Sequence, residues 1–200
     1  MPPEPHNLTL AASGASGAIF LKAMLVALER ESRVQRVNLI TSENAMRVIA
    51  EELGFSGRQH LVERMLGAAS TKIQQQNNYD IGANVASGSY PTDAMIVLPC
   101  SMGTLARIAA GTAERLIERA ADVCLKECRP LVLCVRETPL NKIHIQSMLR
   151  AADAGATIYP LIPTFYNRPQ SPEEMAQQFA ARVLAHIGLR QVDGYVWKKD

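Results

Sequence analysis

Two short segments combine small residues with hydroxyl groups in a way that suits phosphate binding. Residues 13–17 read Ser-Gly-Ala-Ser-Gly, and residues 101–104 read Ser-Met-Gly-Thr. Each follows a strand-like apolar run and opens a helical pattern, so hydroxyls and the free amides of a helix start can donate to an anion. Neither carries a complete Gly-x-Gly-x-x-Gly or Gly-Lys-Ser/Thr pattern, and a plain structural turn stays open for the first. Two such helix starts favour a phosphate-bearing cofactor.

The second strand-like segment narrows the class of cofactor. It ends at Thr41 and Ser42, where dinucleotide-binding proteins carry an acidic residue for the ribose. Because that residue and the glycine fingerprint are both missing, a mononucleotide such as FMN fits the sequence better than NAD.

Charged residues further along the chain could bind a second anion or move a proton. Arg136 and Glu137 directly follow an apolar run, which places a cation and a potential acid or base at the end of a strand. Arg119 and Lys126 share one helical face with Asp122 between them. That spacing fits either a solvated row of ion pairs or a cationic patch for phosphate.

Three other polar residues have both a structural and a functional interpretation. Tyr166 could pin its loop or, together with Arg182 on the last helix, donate to a phosphate. Glu52 lies near the end of a predicted helix, where a side chain is most often simply exposed.

Strand-like and helical patterns alternate along most of the chain. Strands are predicted for residues 7–12, 34–41, 93–100, 131–135 and 157–161, and helices for residues 18–30, 43–53, 113–128, 143–154 and 172–187, with another helix after residue 101. Such alternation predicts an α/β fold with a parallel sheet and helices on both faces. For residues 56–84 we expect a surface helix and an irregular connection, because residues 74–78 are polar and turn-like. Ligands of such sheets collect at the carboxyl ends of the strands, where the segments above lie.

Composition restricts the class of protein. The 200 residues are 48% hydrophobic, and 21 Lys and Arg against 19 Asp and Glu leave a net charge of +2. We therefore expect one domain over residues 1–200, with flexible or oligomer-contacting termini at 1–6 and 190–200, that binds neither nucleic acid nor membrane. The first residues lack a leader pattern, which favours the cytoplasm. The four cysteines lack metal-ligand spacing, so we expect reduced thiols and no metal site.

Several segments occur in the order and spacing of a known family. They are residues 13–18 (SGASGA), 86–89 (ASGS), 98–105 (LPCSMGTL), 118–123 (ERAADV), 129–133 (RPLVL), 136–140 (RETPL) and 165–170 (FYNRPQ). Together they resemble the UbiX/Pad flavin prenyltransferases over nearly the whole chain, about residues 8–189. The resemblance implies a Rossmann-like (flavodoxin-like) three-layer sandwich with a parallel sheet.

The resemblance also implies an activity. Members of this family join a dimethylallyl group from dimethylallyl phosphate to N5 and C6 of reduced FMN, and no metal is required. The product, prenylated FMN, serves a decarboxylase of the UbiD type. Family members commonly assemble as dodecamers in the cytoplasm, so we expect a homo-oligomer of this kind.

Individual residues match the family's functional positions. Ser16, Glu52 and Glu137 match polar groups around N5 and the departing phosphate, and the sequence leaves open whether Glu137 or phosphate is the base. The matches to FMN contacts are Gly14, Ala15, Ser16, Ser42, Ser101, Met102, Gly103, Thr104 and Arg136. The matches to substrate contacts are Ser87, Gly88, Ser89, Tyr166 and Arg182, with Arg119 and Lys126 as further cationic ligands that could reach a neighbouring subunit's site.

Some positions depart from the family pattern. Cys128 stands where many relatives have arginine, Asn141 and Lys142 replace a His-Leu pair, and Trp197 matches the family's terminal tryptophan only loosely. These changes put the choice of isoprenoid and the oligomer contacts in question more than the reaction.

Two alternative functions stay open. An FMN-dependent decarboxylase of the Cys-decarboxylating flavoprotein group would share the fold, but such enzymes typically have a catalytic His just beyond the first loop, and residues 18–22 (AIFLK) contain none. A non-catalytic FMN-binding accessory subunit of a decarboxylase complex is the other alternative. It has no need of an acid such as Glu137 or of a second phosphate site.

Overall fold

The computed structural model describes residues 5–190. Trp197 and most of the two terminal segments discussed above lie outside these residues. The strands are β1 (Asn7–Ala12), β2 (Arg36–Thr41), β3 (Ile73–Asn77), β4 (Ala94–Cys100), β5 (Leu131–Val135) and β6 (Thr157–Ile158). The helices are α1 (Ala18–Arg30), α2 (Glu43–Leu53), α3 (Leu61–Leu66), α4 (Met102–Ala109), α5 (Leu116–Lys126), α6 (Lys142–Asp153) and α7 (Pro172–His186).

The six strands form one parallel sheet in the order β3-β2-β1-β4-β5-β6. This is the strand order of the Rossmann fold, in which the chain first builds outward from β1 on one side and then from β4 on the other. Loops leaving β1 and β4 therefore diverge to opposite faces and leave a crevice at the carboxyl ends of these two strands. The predicted α/β class and parallel sheet are confirmed.

Two hydrophobic clusters cover the two faces of the sheet. One joins the inner faces of α1, α2, α3 and α7 to the sheet, and the other joins those of α4 and α5 to it. All seven residues of β4 are buried, as expected for a strand covered by helices on both faces. The continuous apolar run that identified this strand in the sequence is a direct result of that burial.

The prediction of a surface helix and an irregular connection over residues 56–84 was wrong in part. Ile73–Asn77 is an edge strand that pairs only with β2. Its polar side chains are tolerated because an edge strand is open to solvent on one side, and Gln76 Nε2 donates to Asn38 Oδ1 at 3.0 Å. The expected surface helix is present as α3.

The last strand is shorter than predicted because of Pro160. The regular element ends at Ile158, although Tyr159 N still donates to Leu133 O at 2.9 Å and Leu161 N to Val135 O at 2.8 Å. Proline has no N–H to donate. The segment beyond Ile158 therefore stays alongside β5 without forming regular sheet.

No helix within residues 5–190 is long and apolar enough to cross a bilayer.

Three of the four cysteines have strongly suppressed reactivity. All four are free thiols, and only Cys128 is exposed. Burial raises the pKa of Cys100 and of Cys124 to about 12 and raises the pKa of Cys134 well above its ordinary value. Since the thiolate is the reactive form, these three thiols stay protonated at neutral pH.

We therefore expect iodoacetamide at neutral pH to label the native protein once, at Cys128, and the denatured protein at all four cysteines. Intact-mass spectrometry before and after denaturation counts the labels. Labelling of a second cysteine at the same rate as Cys128 in the native protein would contradict the packing of β4, α5 and β5.

Candidate functional site

Ser13 joins the loops that follow β1 and β4. Its Oγ donates to Pro99 O at 3.2 Å and accepts from Ser101 N at 2.8 Å, and its own amide donates to Pro99 O at 3.0 Å. The side chain is only 1% exposed, so water does not compete for these hydrogen bonds and the low local dielectric strengthens them. The two predicted phosphate-binding segments are thus brought together at the crevice between β1 and β4.

The start of α4 is arranged to bind an anion. Ser101 caps the helix, since its Oγ accepts from Thr104 N at 3.4 Å. The amides of Met102 and Gly103 have no acceptor within the described part of the chain. Gly103 is exposed, and its lack of a side chain opens the first turn to a ligand. Free first-turn amides and the helix dipole together favour a negatively charged group.

The start of α1 already holds a carboxylate of the protein. Glu52, at the end of α2, accepts from Gly17 N at 3.1 and 3.2 Å and from Ala18 N at 2.7 Å. Gly17 is the N-cap residue and has no side chain to cap the helix. Glu52, which is 35 residues further along the sequence, caps it instead. The interpretation of both helix starts as open anion sites must therefore be corrected, because only the start of α4 is open.

The first loop packs closely on α2. A Cβ on Gly14 would collide with the Asn44 side chain, so the loop can approach the helix only because residue 14 is glycine. Ala15 is buried and Ser16 is exposed. Ser42 caps α2 by accepting from Ala45 N at 3.0 Å.

Arg136 and Glu137 lie at the same edge of the sheet, as predicted. Arg136 N donates to Cys100 O at 3.1 Å, which places this loop beside Ser101. Both side chains are exposed. Glu137 Oε1 accepts from Thr138 N at 3.1 Å and is otherwise open to solvent, so this carboxylate can accept a proton from a ligand.

Arg182 also lies near the carboxyl edge, beside a tyrosine that the sequence analysis missed. Tyr159 follows β6, and its ring packs edge to face on Phe179 at 5.5 Å between centroids. Burial raises the pKa of Tyr159, while a hydrogen bond from Arg182 and its positive charge oppose that rise. Tyr166 is 70% exposed in the loop before α7. The sequence could not indicate Tyr159, because its contacts with Phe179 and Arg182 depend on how α7 packs beside the end of β6.

A second cluster of predicted site residues lies around the loop at residues 87–89. Arg119 Nε donates to Ala86 O at 3.1 Å, and Arg129 Nη2 donates to Gly88 O at 2.6 Å. Lys126 pairs with Glu127, and both side chains lie directly against Gly88. The cluster contains Ser87, Gly88, Ser89, Arg119 and Lys126, with the Ser87 and Ser89 hydroxyls 2.9 Å apart.

Lys126 in this cluster is remote from the edge that carries Ser101 and Arg136. Helix α5 begins at the carboxyl edge, where Leu116 N donates to Asn78 O just beyond β3. Lys126 is its last residue, about 15 Å further along the axis. The chain then reaches Pro130, whose carbonyl accepts from Met95 N at the start of β4. Within one chain the structure therefore does not bring Lys126 together with Arg182.

Among residues 5–190, no group of three or more His, Cys, Asp and Glu side chains could hold a metal ion.

Comparisons with known proteins agree with this architecture. The family model described as Flavoprotein matches residues 2–178. The flavin prenyltransferase UbiX of Pseudomonas aeruginosa is 41% identical over 193 residues, which cover 94% of this chain and 91% of that protein.

Two solved structures are similar over nearly their whole length. AnUbiX (PadA1), crystallised with FMN and dimethylallyl pyrophosphate, is 38% identical with a TM-score of 0.87 and covers 98% of this chain and 99% of its own. A dodecameric FMN-dependent UbiX-like decarboxylase from Escherichia coli O157:H7 is 39% identical with a TM-score of 0.85 and covers 96% and 99%.

The capping role of Glu52 predicts a measurable loss of stability. Glu52→Ala removes the acceptor for two amides at the start of α1, and we expect the free energy of unfolding to fall by about 1 kcal/mol or more. The matched control is Glu51→Ala, which removes only an exposed pair with Arg47 on the same helix and should cost less than about 0.5 kcal/mol. Urea unfolding of both variants provides the measurement, and equal losses would contradict the cap.

Proposed function

The chain belongs to the flavoprotein family and, within it, to the UbiX flavin prenyltransferases, and from that premise we propose how its residues bind and join the two substrates. The enzyme transfers a dimethylallyl group to N5 and C6 of FMN and so makes prenylated FMN. The observation that carries the proposed arrangement is the open start of α4 beside the Ser13 bridge. It offers a phosphate site at the crevice where a Rossmann sheet binds its ligand.

The residues at this edge fit FMN. The phosphate is assigned to Ser101, Met102, Gly103 and Thr104, because the amides of Met102 and Gly103 are available there and the start of α1 is taken by Glu52. Arg136 adds a positive charge beside them. The small residues Gly14 and Ala15 let the flavin ring approach the backbone, and Ser16 and Ser42 contribute hydroxyls nearby.

The allyl phosphate is assigned to Tyr166 and Arg182 at the same edge. Arg119 and Lys126 are assigned to the corresponding site of a neighbouring copy, with the loop of Ser87, Gly88 and Ser89 shaping the surface around them. The position of Lys126, far along α5 from the carboxyl edge, supports this division between two chains.

Exposed apolar side chains on α6 support assembly. Only Ala151 of this helix is buried, while Ile143, Ile145 and Leu149 are 68%, 55% and 61% exposed. A helix that presents three large apolar side chains to solvent is typical of a protein–protein interface. We propose a homo-oligomer, and specifically a dodecamer like the E. coli relative, in which these side chains are covered.

The reaction breaks the C–O bond of the allyl phosphate, and the oxygen leaves with the electron pair. Arg182, Tyr166 and the neighbour's cations stabilise the charge that develops on the leaving phosphate. N5 loses a proton when its bond to the allyl chain forms. When the ring closes, C6 loses a proton and the neighbouring alkene carbon of the allyl chain takes one up, so the flavin gains C5H8 overall. Glu137 is the better protein base, because its carboxylate accepts one hydrogen bond from an adjacent amide whereas that of Glu52 caps a helix. Glu52 and Ser16 are assigned to positioning around N5.

The proposal also names the state of the flavin, the allyl donor and the protein that receives the product. The flavin reacts in its reduced form, the allyl donor is dimethylallyl phosphate, and prenylated FMN passes to a UbiD-type decarboxylase. The cytoplasmic location stays a prediction.

The direct test is to incubate the purified protein with reduced FMN and dimethylallyl phosphate without oxygen and to weigh the flavin. We expect a product heavier than reduced FMN by one C5H8 unit, with release of inorganic phosphate. Phosphate release with an unchanged flavin mass would show a phosphatase and contradict the transfer.

Glu137→Gln tests the identity of the base. The variant keeps the shape of the side chain, so FMN affinity should be unchanged while single-turnover prenyl transfer slows by about a hundredfold or more. Glu114→Gln, at an exposed position before α5, is the control and should react normally. An unchanged rate in Glu137→Gln would assign the role of base to the released phosphate.

Mixed oligomers test whether Lys126 serves a neighbouring chain. Arg182→Ala and Lys126→Ala should each be nearly inactive, because each removes a phosphate ligand from every site. In oligomers co-assembled from equal amounts of the two variants, about a quarter of the sites combine an intact Arg182 with an intact neighbouring Lys126. Activity should recover to about that level. If both residues served the same chain, no site in the mixture would be complete and activity would stay low.

A further inference from the structure

An ion pair between a buried carboxylate and a half-exposed guanidinium lies beside the first turn of α4. Arg107 Nε donates to Glu118 Oε1 at 2.7 Å, and the side chains are 45% and 3% exposed. Arg107 lies on α4 and Glu118 on the first turn of α5. A carboxylate this deep is tolerated only because a cation pairs with it. The pair therefore links α4 to α5 and holds the guanidinium between them.

The guanidinium lies along the first turn of α4. Its Nη2 is 3.4 Å from Thr104 Oγ1, and its Nη1 would be 3.8 Å from a Cβ on Gly103. The N-terminal end of a helix is positive, and a neighbouring cation there is unfavourable unless an anion compensates both. Glu118 compensates only from the buried side. On the side that faces the ligand crevice, the positive N-terminal end of α4 and the guanidinium of Arg107 therefore lie close together.

The Thr104 hydroxyl connects Arg107 to Ser101, the residue that caps α4. Its Oγ1 accepts from Ser101 Oγ at 3.2 Å and from Arg107 Nη2 at 3.4 Å. A hydroxyl oxygen has two lone pairs, and both are engaged here. The Thr104 O–H is consequently left to donate a hydrogen bond of its own, and the nearby cation strengthens it as a donor.

We propose that Arg107, held by Glu118, is a positioning residue for the phosphate of the flavin. This inference rests on the proposed function, which assigns that phosphate to the start of α4. Arg107 orients the Thr104 hydroxyl and adds positive potential beside the amides of Met102 and Gly103. The pair thereby makes the site selective for FMN over riboflavin, which has the same ring system and ribityl chain without the phosphate.

The test compares the dissociation constants of FMN and riboflavin by titration of flavin fluorescence. In Arg107→Met we expect FMN affinity to fall by about tenfold or more, while riboflavin affinity changes by less than about twofold because it makes no phosphate contact. Arg107→Lys keeps the charge and loses the planar fork, so its FMN affinity should lie between. Arg47→Met is the matched control, since it removes an exposed arginine that pairs with Glu51 on its own helix.

A second variant distinguishes a weaker phosphate contact from a loss of folding. Arg107→Met leaves Glu118 buried without its cation, which is destabilising, whereas Arg107→Met combined with Glu118→Leu removes both charges. We expect the double variant to unfold at a temperature close to that of wild type and to show the same loss of preference for FMN.

Two results would overturn the inference and can be told apart. If the folded double variant kept the wild-type ratio of FMN to riboflavin affinity, Arg107 would have a structural role only. If the wild-type protein bound FMN and riboflavin equally, the phosphate site in the proposed function would fall together with the inference.

Discussion

The Ser13 hydroxyl is the contact on which the rest of the site depends. It donates to the carbonyl of Pro99 and accepts from the amide of Ser101, so one buried side chain satisfies two backbone groups from the neighbouring strand's loop. Together with the Ser13 amide, which also donates to Pro99 O, this hydroxyl sets the distance between two loops whose helices lie on opposite faces of the sheet. With the bridge in place, the starts of α1 and α4 become two walls of one crevice. The start of α1 binds the Glu52 carboxylate, and the start of α4 stays available for a ligand.

That separation of roles follows from local electrostatics. Glu52 caps the start of α1, which leaves α4 as the one of these two helix starts with free amides, and the guanidinium of Arg107 lies beside that turn. The remaining cations, Arg119 and Lys126, belong to a surface built around residues 87–89. In the proposed arrangement the substrate ligands lie in two places, which is a physical reason for the chain to assemble, and the exposed apolar side chains of α6 are available for contacts between copies.

Much of the fold could be predicted because local signals agreed with the tertiary structure. The bounds of β1, α1, α2 and β5 match the sequence patterns residue for residue, since apolar runs and breakers mark both ends. Strand β3 was missed because its residues are polar and its stability comes from pairing with β2. Glu52 and the Arg107–Glu118 pair were missed as structural elements for a similar reason. Each acts on a residue at least 11 positions away, and helical spacing carries no information about such contacts.

A crystal structure of the protein with FMN tests the central claim most directly, which is that the two helix starts have different occupants. The account predicts the flavin phosphate within hydrogen-bonding distance of the amides of Met102 and Gly103, with the Glu52 carboxylate still bound to the amides of Gly17 and Ala18. A phosphate bound at the start of α1, with Glu52 displaced from it, would contradict the account.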